Sequence, residues 1–263
     1  VPGHDKMQES FALLDSKAPK AYSAKWLQKD DVERLEDLKY AATRFYELPP
    51  ETQGDFLVRF TYNTNAIEGN PLSLRQTALI LNDGVSPQGA RAQDVIEAFN
   101  GKDAWLCAKN YRKQPTAAFL RKLQYEVTKN TPCRIQGRFR DSEVKISGSN
   151  WLPPKPGQVP AFIESMLKEF KSGRKLHPIE RAAWVHNKVA QIHPFTDGNG
   201  RTARLIMNWI LMRNSFPPIV IDARNKEIYY KMLEMADKGD HKPFAKFLAT
   251  QMLEQYTAKR QKV

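Results

Sequence analysis

The chain has 263 residues, with 41 lysines and arginines against 29 aspartates and glutamates, for a formal net charge of +12. That length builds a substantial core, in one large domain or a core with helical additions, and its two cysteines, Cys107 and Cys133, imply neither a disulfide framework nor a zinc pattern. No apolar run approaches the ~20 residues that span a bilayer and no signal-peptide apolar region is visible, so a cytoplasmic protein with no membrane partner is expected.

In chain order, helix signals dominate. Segment 31–47 carries Leu35, Leu38, Ala42 and Phe45 at helical spacing. Residues 61–72 read TYNTNAIEGNPL, with Glu68 just ahead of a Gly69-Asn70 helix stop. Segments 75–82, 92–109 and 116–128 follow as helices. Cys107 falls in an apolar helical run, where a thiol packs as a small hydrophobe. Residues 102–140 hold ten Lys/Arg and two Asp/Glu, which makes either a solvated face or a surface that draws in anionic substrates. No recognition helix, zinc finger or aromatic ladder accompanies that charge, so nucleic acid is not the expected partner. In 137–154, GRFRDSEVKISGSNWLPP, Val144 and Ile146 alternate with Glu143 and Lys145 before a Ser-Gly-Ser-Asn turn, which predicts a short β-hairpin.

Helices are predicted again over 160–171 and 178–191, the latter started by Pro178 with Glu180 in its first turn. A buried helix over 202–214 starts near Gly200, and Ile219-Val220-Ile221 gives the only other strand signal. Residues 225–230, NKEIYY, run into KMLEMADKGD, and 242–256 closes the series as a helix. The fold class is therefore mainly α. His186 and His193 are seven apart, but His193 lies past its helix end, so packing rather than zinc binding is expected of His186.

The densest chemistry lies in His193-Pro194-Phe195-Thr196-Asp197-Gly198-Asn199-Gly200-Arg201-Thr202-Ala203-Arg204. His193 titrates near neutrality and can take a proton from a hydroxyl. Asp197 offers hard oxygens that suit Mg2+ shared with a nucleotide. Gly198 and Gly200 let the backbone turn and approach a ligand, and Asn199 adds a neutral donor. The following helix would aim free N–H groups and its positive dipole end at an anion. Arg201 and Arg204, three apart, share a face and match phosphate oxygens. No Walker loop and no dinucleotide fingerprint occurs.

This segment resembles the Fic family signature H-x-F-x-[D/E]-G-N-G-R-x-x-R at every fixed position. The resemblance implies a helical Fic fold with a β-hairpin flap over the active site, divided into an N-terminal helical region (1–110) and a Fic core (111–263). It implies transfer of AMP from ATP to a Ser, Thr or Tyr hydroxyl of a target protein, with pyrophosphate released. His193 is then the catalytic base and Asp197 the Mg2+ ligand. Gly198, Asn199, Gly200, Arg201, Thr202 and Arg204 hold the phosphates. Residues 64–69 resemble the family's inhibitory motif [S/T]-x-x-x-E-[G/N], which assigns Thr64, Glu68 and Gly69 to a lock in which Glu68 pairs with Arg204. The resemblance places Val144, Ile146, Ser147 and Gly148 in the target-docking flap, and Tyr229, Tyr230 and Asp237 around the nucleotide base. Asp237 stands where several relatives carry Asn, which keeps UMP or another nucleotide open. Automodification, AMP removal aided by Glu68, and a homodimer are further implications. Two other readings stay open: another nucleotidyl- or phosphotransferase of the family, and a non-catalytic basic adaptor for DNA or protein.

Overall fold

Ten α-helices form among the described residues, 22–39, 50–146 and 149–257 of a computed structural model. They are α1 (Lys29–Glu36), α2 (Pro50–Ile67), α3 (Leu74–Asp83), α4 (Ala92–Asn110) and α5 (Ala117–Thr128), then α6 (Val159–Ser172), α7 (Pro178–Ile192), α8 (Asn199–Arg213), α9 (Lys226–Asp237) and α10 (Lys242–Thr257). Local chemistry sets many of the ends. Ser73 and Gln76 close a reciprocal capping box at the start of α3, and Thr116 accepts from the Phe119 amide at the start of α5. Proline opens α7, where the missing N–H costs nothing.

Helix α8 is the axis of the molecule. All its residues from Arg201 to Met212 are buried, and it packs against α7, α5, α4 and α2. A helix buried on every side lies in the middle of a core, here with an apolar run from Leu205 to Met212 broken only by Asn208. The main hydrophobic cluster surrounds it, and a smaller one joins α2, α3 and α4 through Val58, Ile80 and Val95.

Three expectations change. The helix expected over 31–47 is interrupted: α1 stops at Glu36, residues 37–38 form a turn, Lys39 is helical again, and 40–47, with Ala42 and Phe45, lie outside the described residues; Leu35 and Leu38 are buried as the stripe requires. The hairpin expected over 137–154 does not form among the described residues. Segments 143–146 and 149–154 are irregular and show no cross-strand ladder; the Ser149 amide donates to the Ile146 carbonyl at 3.1 Å. Alternation sets which side chains face which way, but a hairpin also needs a partner strand for its backbone bonds. Ser147 and Gly148 lie outside the described residues. Nor is 219–221 a strand: its backbone is satisfied by side-chain amides. Asn208 exchanges two bonds with Ile219 at 2.8 and 3.0 Å, and Gln255 two with Val220 at 3.0 and 2.9 Å. These four bonds meet the demand of a buried backbone without a sheet.

The loop between α7 and α8 carries two left-handed residues. His193 caps α7 at φ 47°, and Gly198 precedes α8 at φ 79°. A Cβ on Gly198 would also meet Thr128 Cγ2 at 3.1 Å and Val127 Cγ1 at 3.2 Å. Gly198→Ala is therefore expected to lose about 1–3 kcal/mol, read from urea unfolding midpoints.

Candidate active site

The α7–α8 loop, the end of α2, the side chains of Lys145, Ile146 and Ser149, and α9 enclose one cleft of about 570 Å³. Glu68, Ile146, Ser149, His193, Asp197, Gly198, Asn199, Gly200, Arg204, Tyr229, Tyr230 and Asp237 line it, with Lys145, Ala190, Thr196, Lys226, Leu233 and Glu234 completing the wall. Residues scattered over some 170 positions of sequence thus share one space.

His193 is half-buried on this cleft. Its Nδ1 lies 3.2 Å from the Ala190 carbonyl, which can only accept, so Nδ1 carries the proton and Nε2 keeps a lone pair. Burial lowers its pKa below the usual imidazole value, helped by the Arg140 charge and outweighing the Ala190 carbonyl, Glu68 and Asp197. The ring is therefore neutral at pH 7 and able to accept a proton.

Helix α8 begins with no side-chain cap, and its first intrahelical bond runs from the Thr202 amide to the Gly198 carbonyl at 2.9 Å. The amides of Asn199, Gly200 and Arg201 have no partner within the helix, which makes this end an anion cradle. Thr202 differs from expectation: its amide is committed and its side chain is fully buried, off the cleft. Arg201 is also buried, its Nη2 at 3.1 Å from both Asp197 oxygens and its Nη1 at 3.8 Å from Glu97.

Arg204 is 2 % exposed and makes four hydrogen bonds. Its Nε donates to Thr64 Oγ1 at 2.8 Å, its Nη2 to the Thr64 carbonyl at 2.9 Å and to Glu68 Oε1 at 2.5 Å, and its Nη1 to the Tyr229 hydroxyl at 3.2 Å. For Glu68, burial pushes the carboxyl pKa up, but the Arg204 charge and hydrogen bond more than offset that, with Arg201 and Lys226 adding to the net lowering. Glu68 reaches this place because α2 stops behind it, where Gly69 adopts φ 99° and the Asn70 amide turns back to the Asn65 carbonyl. A Cβ on Gly200 would fall against Glu68 Oε1, so the carboxylate fills the space directly over the first turn of α8.

Tyr229 and Tyr230 split in role. Tyr230 is 37 % exposed on the cleft, and its hydroxyl reaches the Ile67 carbonyl at 3.4 Å. Tyr229 is 1 % exposed, and its hydroxyl links Arg204 to His186 Nε2 at 3.0 Å. Burial pushes the Tyr229 hydroxyl up to about 12 and, reinforced by the Arg204 charge, pushes His186 down to about 3. A histidine neutral in the fold but titrating near 6.5 when unfolded adds stability that is complete above that value and falls as pH drops toward 3. About 2 kcal/mol is expected to be lost from this group at pH 5. His186→Gln should flatten that part of the change between urea midpoints measured at pH 7.5 and pH 5.

Asp237 accepts from Ser149 Oγ at 3.3 Å, and burial raises its carboxyl pKa. Val144 is not on the cleft wall, whereas Ile146 is. No functional role follows from sequence for Lys145, Lys226, Glu97 or Arg140, although each lies in a marked segment: Lys145 and Arg140 in 137–154, Glu97 in 92–109 and Lys226 three residues ahead of Tyr229.

Asp197 is the one described carboxylate beside the α8 cradle that is half exposed; its Oδ1 accepts from the Gly198 amide at 2.6 Å. No group of three or more His, Cys, Asp or Glu able to hold a metal occurs among the described residues. One carboxylate beside an uncapped helix N-terminus fits a hard divalent cation that takes most of its ligands from elsewhere, as Mg2+ does. Among the described residues no helix is long and apolar enough to cross a membrane.

Residues 114–211 match the Fic/DOC family. The chain is 35 % identical over 250 residues to a protein adenylyltransferase Fic of Aedes aegypti, covering 92 % of this chain and 46 % of that protein. It therefore spans about half the length of the curated relatives it matches. A solved structure of Fic-1 from C. elegans superposes with a TM-score of 0.76 at 28 % identity, covering 88 % of this chain and 73 % of that one. A Fic domain-containing signalling protein from Bacteroides thetaiotaomicron gives 0.75 at 26 % identity, covering 85 % and 94 %.

Proposed function

The chain carries a Fic/DOC family domain, and on that premise we propose that it is a protein adenylyltransferase that moves AMP from ATP to a hydroxyl side chain of a target protein. The observation that carries this reading is the shared cleft. A neutral histidine with its Nε2 lone pair, an uncapped helix N-terminus and a buried arginine meet there, and Glu68 covers the arginine.

His193 Nε2 takes the proton of the target hydroxyl as its oxygen attacks the α-phosphorus of ATP, and pyrophosphate leaves. The first-turn amides of α8 and the Arg204 guanidinium hold the phosphate oxygens and meet the charge that grows in the transition state. Asp197 would hold a Mg2+ ion carried in with the nucleotide, which when bound neutralises phosphate charge. Arg201 keeps the Asp197 carboxylate aimed, and Tyr230 walls the nucleotide.

The lock follows from the same contacts. An anion that binds over the first turn of α8 must share space with the Glu68 carboxylate and compete for Arg204. The protein is therefore autoinhibited until Glu68 swings away, while Thr64 continues to hold Arg204 through two bonds.

ATP labelled at the α- or the γ-phosphate tests the reaction type, with Glu68→Gly protein and a mixture of candidate acceptors. Label retained in protein from the α position only supports AMP transfer; label from the γ position only would replace it with phosphoryl transfer.

A further inference from the structure

We propose that Arg140 is a positioning residue: it fixes the main chain at His193 and staples the chain at Ser142 and Pro154, on either side of the cleft-lining Lys145, Ile146 and Ser149. The kinetic part of this proposal rests on the transferase reading of the site; the structural part does not.

Arg140 is 3 % exposed. Its Nε donates to the His193 carbonyl at 2.8 Å, its Nη1 to the Ser142 carbonyl at 3.0 Å and its Nη2 to the Pro154 carbonyl at 2.5 Å. Its own amide donates to the Pro194 carbonyl at 2.9 Å. Every one of these acceptors is main chain. Burying a guanidinium against carbonyls instead of a carboxylate is costly, and burial accordingly pulls the Arg140 pKa down, against a partial pull upward from Glu143. What a guanidinium offers here is a planar fork that can fix several carbonyls in set directions at once.

Those carbonyls belong to three places that have to keep register. His193 stands in the left-handed region at φ 47°, a conformation that a non-glycine residue holds only where its surroundings impose it. Arg140 grips the carbonyl of that very residue and the next. Beside it, Phe139 packs on Phe195 with ring centroids 5.7 Å apart, so residues 139–140 run along the loop as a unit. Ser142 and Pro154 bracket the stretch that sends Lys145, Ile146 and Ser149 into the cleft, and Ser149 reaches on to Asp237. One buried side chain thus sets the distance between the base that takes the proton and the wall along which the acceptor enters.

The test places Arg140→Lys and Arg140→Gln in the Glu68→Gly background. Lysine keeps the charge and cannot satisfy three fixed carbonyls; glutamine loses the charge as well. Both are expected to lower kcat for AMP incorporation by about tenfold or more, with KM for ATP within about twofold, since the phosphate-holding groups are untouched. A second readout needs no nucleotide: long-range proton–nitrogen NMR of the His193 ring. The parent should show one tautomer with the proton on Nδ1, and both variants a mixture. If Arg140→Gln does not unfold cooperatively, Arg140→Lys carries the test. Parental kcat and a parental tautomer in Arg140→Lys would overturn the proposal. A parent that transfers no AMP at all would sink the transferase reading, while the NMR comparison still decides the role of Arg140.

Discussion

Glu68→Gly is expected to bind ATP about 10–100-fold more tightly than the wild type, and to gain AMP transfer with it. Glu68 acts on the cleft in two ways. Its carboxylate occupies the volume over Gly200, and it takes a hydrogen bond of 2.5 Å from Arg204 that a phosphate oxygen would otherwise receive. Glycine removes both effects and leaves Arg204 bonded to Thr64 and Tyr229, so the phosphate partner stays in place. The lock also has a pH sense. The Glu68 pKa is lowered in the fold, so the pair contributes stability above the ordinary carboxylate range and loses it as pH falls through the lowered value. Titration calorimetry with ATP and Mg2+ on both proteins measures the affinity gain; equal affinities would show that Glu68 does not guard the phosphate site.

His193→Ala, in the Glu68→Gly background, is expected to lower the rate of AMP transfer by about 10²–10⁴-fold while ATP affinity changes little. No phosphate-holding role falls to the imidazole, because Nδ1 is committed to the Ala190 carbonyl and Nε2, having no proton, cannot donate to a phosphate oxygen. Its contribution belongs to the step in which the acceptor hydroxyl loses its proton. The lowered His193 pKa adds a signature: the acid limb of the rate profile should lie below the ordinary imidazole value, since protonation removes the base. An acid limb at or above the ordinary value would mean that another group takes the proton.

Much of this site is local and therefore legible. The residues from His193 to Arg204 supply the base, the carboxylate, the cradle and both arginines, and the apolar run that follows announces a buried helix. The link from Glu68 to Arg204 spans 136 positions, and no spacing rule connects them; only the family resemblance joined the two. Arg140 was invisible for another reason. Its partners are main-chain carbonyls, so no complementary side chain marks it, and in sequence it is one of ten cations in a basic stretch. The paired tyrosines show how far a motif reaches: both side chains touch the cleft wall, but helical geometry buries Tyr229 against Arg204 and leaves Tyr230 on the cleft. The alternation at 143–146 marked an irregular stretch with Ile146 on the cleft as though it were a strand, because periodicity carries no information about a partner strand.

The most direct measurement is incorporation of AMP from α-labelled ATP with Mg2+, comparing Glu68→Gly with Glu68→Gly/His193→Ala, and with automodification counted as transfer. Label in the first protein and at most a trace in the second is the expected result. Equal label in both, or none in either while ATP still binds, would contradict AMP transfer by His193 from behind a Glu68 lock.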